Sequence, residues 1–101
     1  MVTSKQQIIK LLRLNSEKLG RFGIKKMGVF GSFVSGKPTQ KSDVDLLVVF
    51  EKGRKNFQNF MKTVNFTEEM LGRDVDLLTP ESLSPYIAPH IKKEIEYVQI
   101  T

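Results

Sequence analysis

The sequence predicts an α/β sandwich built on a small sheet, and three observations carry that prediction. Two amphipathic stripes recur at helical spacing, short apolar runs stand between and after them, and glycines and prolines mark the junctions. Helices alternating with strands in this order pack as layers around one sheet. The chain of 101 residues, 40% of them apolar, suits one domain over 1–101 with a core of its own.

The first stripe is Ile8, Leu11, Leu12 and Leu19, with Ile9 and Leu14 beside it. Thr3 or Ser4 can cap it, and Ser4 to Gln7 has the spacing of a capping box. Gly20 and Gly23 end it, so one helix is expected over about 4–19. Lys26 to Phe30 reads as a short strand stopped by Gly31, and Ser32–Ser42 reads as loop with one helical turn at its start. Asp45 to Phe50 has little alternation, which suits a strand covered on both faces. After a turn at Gly53, Phe57, Phe60, Met61, Val64 and Leu71 trace the second stripe, capped by Gly72. Asp74 to Leu78 is a third strand. Thr79-Pro80 then opens a short helix reaching about Lys93, interrupted at Pro85 and Pro89, and Tyr97 to Ile100 adds an edge strand.

Composition excludes several kinds of chemistry. Zero cysteines remove disulfides, thiolate metal sites and thiol nucleophiles, and make the cytoplasm the expected location. One histidine, His90, cannot build a histidine metal cluster. The longest apolar run, Leu46 to Phe50, is far short of the roughly 20 residues of a membrane span, so no membrane association is expected, nor is a secretory signal. Residues 1–42 hold nine basic residues and one acid, whereas 43–101 hold seven basic and ten acidic. The basic half suits contact with a polyanion, or equally the solvated face of one helix, and charge alone does not choose.

The chemistry-bearing residues cluster around one strand. Phe30-Gly31-Ser32 ends a strand, and Asp43-Val44-Asp45 opens the next. In extended chain, residues i and i+2 face the same side about 6.6 Å apart, so Asp43 and Asp45 present two carboxylates to one spot. Two anions at the mouth of an apolar strand repel each other unless a cation lies between them, and hard oxygen ligands favour Mg²⁺ or Mn²⁺. Gly31 admits close approach of a ligand, and Ser32 offers a hydroxyl and an N–H to a phosphate. Asp74-Val75-Asp76 repeats the carboxylate pair on the third strand, and spacing alone does not say which of the two joins the site.

Gly31-Ser32, Gly36 and Ser42-Asp43-Val44-Asp45-Leu46-Leu47-Val48 together resemble the signature of the polymerase-β-like nucleotidyltransferase superfamily. The chain length and Val75-Asp76-Leu77-Leu78-Thr79-Pro80 resemble its smallest branch, the minimal nucleotidyltransferases of prokaryotes. The resemblance spans about residues 20–100. It implies a small mixed sheet with flanking helices, and transfer of AMP from ATP, or of another nucleotide from its triphosphate, to a hydroxyl with two Mg²⁺ ions. It implies metal-binding roles for Asp43 and Asp45, and it selects Asp76 as the third metal-site and catalytic carboxylate. The phosphates would be held by Gly31, Ser32, Gly36 and Lys37. It further implies an antitoxin that adenylylates a tyrosine of a HEPN-type toxin. One departure is that Val34-Ser35 stands where relatives often carry Ala-Arg, so Lys37 or Lys41 would have to hold phosphate instead.

Three other readings compete. Gly31 to Lys37 matches a P-loop until Pro38, which has no hydroxyl for a metal and does not suit a helix start. A catalytically weak antitoxin would neutralise its partner by binding alone. Nonspecific nucleic-acid binding rests on the calculated pI of 9.6 but lacks a stacking surface, since Phe57, Phe60 and Phe66 fall on a core stripe, so nucleic acid is not expected as a direct substrate. A partner protein is expected to complete the site, with Tyr86, Ile87 and Ile91 as a docking face, although packing is the simpler use of Tyr86 and Tyr97. The sequence leaves homo-oligomerisation open.

Overall fold

Ser4 caps the first helix, α1 (Lys5–Leu14), by accepting from the Gln7 N–H, while the Gln7 side chain accepts in turn from the Thr3 N–H. The computed structural model describes Met1–Thr101. The single helix expected over 4–19 is two, because the Asn15 side chain donates to the Leu11 carbonyl and breaks the ladder before α2 (Ser16–Arg21). Strand β1 (Ile24–Phe30) and the one-turn helix α3 (Ser32–Ser35) follow, then β2 (Val44–Phe50) and the long α4 (Phe57–Leu71), closed by Gly72 in the left-handed conformation. After β3 (Val75–Leu78), the expected C-terminal helix is reduced to a 3₁₀ turn over Pro80–Ser82 and a separate α5 (Ala88–Glu94), with Pro89 in its first turn. Strand β4 (Glu96–Gln99) completes the chain.

The strands form one mixed sheet in the order β3-β2-β1-β4, with β1 antiparallel to both β2 and β4, and β2 parallel to β3. This is the α/β architecture expected, and each face of β2 has its own cover. Val44, Leu46 and Val48 turn to the main core, together with Ile8, Leu12 and Leu19 from α1 and α2 and Leu71 from α4. Leu47 turns to the other face, where it packs with Phe30 and Ile91 in a smaller cluster flanked by Leu78, Leu83 and Ile95. Gly28 makes this second layer possible, since a side chain there would overlap Ile95.

Several side chains lie elsewhere than their spacing suggests. Phe57 is 78% exposed in the first turn of α4, whereas Thr63 and Thr67 are fully buried. Their hydroxyls donate to the carbonyls of Asn59 and Thr63 one turn earlier, which removes the cost of burying them. Tyr86 is 87% exposed rather than packed, and Tyr97 is exposed with Lys26 Nζ 4.2 Å from its ring centroid. Tyr86 and Ile87 do form an exposed apolar pair, but Ile91, expected beside them, turns inward as part of the second cluster. No helix is long and apolar enough to cross a membrane.

Candidate active site

The second, thinly covered face of the sheet carries the acidic residues. Asp45 alternates with Val44 and Leu46, so it points away from the main core and shares its face with Leu47. Asp76 is its register partner on the parallel strand β3, beside it at the usual strand spacing of about 4.8 Å. Asp43 lies two residues earlier, exposed at the entry to β2. Asp74 lies just before β3, where its carbonyl accepts from the Val44 N–H. Asp43 and Asp74 border a cleft of about 520 Å³ with Lys41, Ser42, Glu68 and Arg73.

The Gly31-Ser32 turn meets this corner directly. Gly31 has φ 78° and ψ −150°, a backbone that side-chain-bearing residues rarely adopt. A Cβ there would overlap Asp45 Oδ2, so the glycine keeps the turn against the carboxylate. The Gly31 carbonyl accepts from Val34 and Ser35 and starts α3, which Gly36 closes with φ 94°. Lys37 is exposed, its N–H donating to the Ser32 carbonyl, so Ser32 and Lys37 stand at opposite ends of a single turn. The helix precedes Lys37 instead of following it, which removes the P-loop reading. Val34, at the position where the resemblance expects alanine, packs partly buried against the main core.

The electrostatics of the corner are one-sided. Burial first, then the neighbouring carboxylates of Asp76, Asp43 and Glu94, push the Asp45 carboxyl up from its ordinary 3.8 to about 6. None of the three ion pairs of the protein involves these four acids. The structure brings Asp43, Asp45 and Asp76 to one corner but not into a closed cluster of three metal ligands. The donor set nevertheless fits a hard divalent cation. It is all oxygen, it crowds negative charge around a half-buried carboxyl, and none of its carboxylates is held in an ion pair.

This chain belongs to the nucleotidyltransferase-domain family, whose match spans residues 8–98. Its curated relatives include the protein adenylyltransferase MntA of Thermococcus cleftensis, 37% identical over 94 residues, which are 92% of this chain and 94% of that one. Among solved structures, a chain provisionally described as a minimal nucleotidyltransferase is 29% identical with a TM-score of 0.70, covering 87% of this chain and 93% of that one. A toxin–antitoxin structure containing AMP-PNP shares the fold at 23% identity and a TM-score of 0.65, over 98% of this chain and 73% of that one. The resemblance carried by Gly31-Ser32 and Asp43-Val44-Asp45 therefore identified the minimal nucleotidyltransferase family correctly.

Two residues of this acidic corner went unread in the sequence. Glu94, at the end of α5, accepts the Gly31 N–H at 3.0 Å, so that N–H is already engaged within the protein. Arg73 donates from Nε to the Val2 carbonyl at 2.7 Å, and from Nη1 to the carbonyls of Thr39, Gln40 and Ser42 at 3.0, 3.2 and 2.9 Å. Glu94 is 63 residues from its partner and follows no motif, so nothing local marked it. Arg73 directly follows the helix-capping Gly72 and directly precedes the Asp74-Val75-Asp76 strand entry, and that position was its only signal.

Proposed function

We propose that this chain transfers AMP from ATP to a hydroxyl of a partner protein, a tyrosine of a HEPN-type toxin, and thereby serves as its antitoxin. The observation that carries the reading is the alignment of Asp45 with Asp76 across two parallel strands, with the Gly31 turn lying against the Asp45 carboxylate. The 37% identity to a protein adenylyltransferase supports AMP as the transferred group and a protein as its acceptor. The toxin as acceptor follows from the family resemblance.

Each residue then has a role. Gly31 leaves the space, and Ser32 supplies the hydroxyl and N–H for the triphosphate, with Gly36 and Lys37 at the far end of the same turn. Asp43 and Asp45, with Asp76, would hold Mg²⁺ (two ions, with Mn²⁺ as a substitute). When bound, the metal would offset the crowded negative charge and stabilise charge developing on the phosphate. Asp76, exposed near the start of β3, would take the proton from the incoming hydroxyl. The hydroxyl oxygen forms the new bond to the α-phosphorus, and pyrophosphate leaves. Tyr86 and Ile87 offer the partner an exposed apolar contact beyond the site.

The second reading is neutralisation by binding alone. It is favoured by the absence of any arginine on α3, where Val34 packs inward and Ser35 is a short polar residue. The test is incubation with radiolabelled ATP, Mg²⁺ and the product of the adjacent gene as candidate acceptor. Label on the partner supports transfer, and its loss in Asp43→Asn/Asp45→Asn ties transfer to these residues. No label with any of the four nucleotides, with toxin still neutralised by the double variant, would establish occlusion.

A further inference from the structure

The Gly31 N–H lies just beyond the β1 ladder, whose last register pair with β2 is Phe30 and Asp45. Its partner comes instead from the other end of the chain, the Glu94 carboxylate at 3.0 Å. Gly31 is therefore bracketed, with Glu94 accepting its N–H and the Asp45 carboxylate filling the space that a Cβ would take. A carboxylate acceptor makes a stronger bond to a backbone N–H than a neutral group does. It also adds a fourth carboxylate beside Asp43, Asp45 and Asp76, whose mutual repulsion opposes folding. The helix that carries it covers the second face through Ile91, so the carboxylate is held by a packed element and not by a loose tail.

We infer that Glu94 is a positioning residue for nucleotide binding, fixing the Gly31-Ser32 turn through its bond to the Gly31 N–H. This deepens the proposed transferase reading and rests on it. Glu94 touches no reacting atom. It sets the direction in which the Ser32 N–H and hydroxyl are presented, and it makes α5 part of the nucleotide site.

The test compares Glu94→Gln, which keeps an acceptor oxygen for the Gly31 N–H, with Glu94→Ala, which does not. The chain is titrated with ATP and Mg²⁺, and the Gly31 amide is followed by NMR. Glu94→Ala is expected to weaken ATP binding about tenfold and to raise KM for ATP more than it lowers kcat, since a 1.4 kcal/mol loss is tenfold. The Gly31 amide proton should move upfield and exchange faster. Glu94→Gln should stay within about threefold of the unaltered chain in affinity and keep the amide protected, about the difference between a charge-assisted and a neutral bond. The inference is overturned if Glu94→Ala binds ATP normally, if its Gly31 amide is unmoved, or if Glu94→Gln is as impaired as Glu94→Ala. An unaltered chain that binds no ATP removes the nucleotide reading and this inference together. Normal ATP binding in every variant removes this inference alone.

Discussion

The guanidinium carbon of Arg73 lies 5.0 Å from the centroid of the Phe33 ring. Phe33 belongs to the α3 turn beside Ser32, and the same guanidinium binds three carbonyls in the segment that delivers the chain to Asp43. Arg73 itself leads into the strand of Asp76. One planar cation thus ties together the three segments that carry the Gly-Ser turn and the acidic residues, which a lysine, lacking the fork of donors, does not reproduce.

Arg73→Lys is accordingly expected to cost about 2 kcal/mol, the sum of a few partly exposed hydrogen bonds. It should lower transfer further than the loss of folded protein explains. Urea denaturation and turnover measured on the same preparations separate the two effects. Activity that simply tracks the folded fraction would make Arg73 a stability residue only.

The raised pKa of Asp45 has a definite sign. Its folded value, about 6, exceeds its ordinary 3.8, so its contribution to stability is fully present below about pH 3.8 and is lost as pH rises through 6. Two units correspond to about 3 kcal/mol, and partial exposure reduces this to about 1–2 kcal/mol. Asp45→Asn should therefore be the more stable protein at pH 8 without metal, with the gap closing toward pH 4. Mg²⁺ should raise the melting temperature of the unaltered chain at pH 8 and have less effect on the variant. Parallel stability-against-pH curves would contradict this account.

Gly31 and Gly53 share nearly the same φ, 78° and 79°, but not the same surroundings. A side chain at Gly31 overlaps Asp45, whereas one at Gly53 meets nothing within 4 Å. Gly53→Ala should cost about 1 kcal/mol of backbone strain, and Gly31→Ala about 2–3 kcal/mol with loss of ATP binding. Denaturation midpoints and nucleotide titration would show it, and equal costs would mean the contact with Asp45 is easily relieved.

Phe57 and Ile91 reverse what their spacing suggested. Phe57→Ser should stay within about 0.5 kcal/mol of the unaltered chain, as exposed positions do. Ile91→Ala should cost about 2–3 kcal/mol, because it opens a void between α5 and the sheet. A large loss from Phe57→Ser would place that ring in a contact with another molecule.

What the sequence determined on its own was local. Capping at Ser4, the strand runs 26–30 and 45–50, the glycine at the end of α4 and the one-turn helix after Gly31 all follow from side chains acting within a few residues. The pairing of Gly31-Ser32 with Asp43-Val44-Asp45 was legible because together they resemble a family signature, while period-two alternation placed Asp43 and Asp45 on one side. Tertiary structure alone decided the rest. The parallel register of β2 and β3 put Asp76 beside Asp45 and left Asp74 at the strand entry, a choice that turns on pairing between distant segments. It also decided which aromatic and aliphatic side chains face water, since Phe57 is exposed in the first turn of α4 while Ile91 packs inward. Glu94 and Arg73 reach their partners only in the assembled fold, because a hydrogen bond across 63 or 31 residues leaves no periodic trace in the sequence.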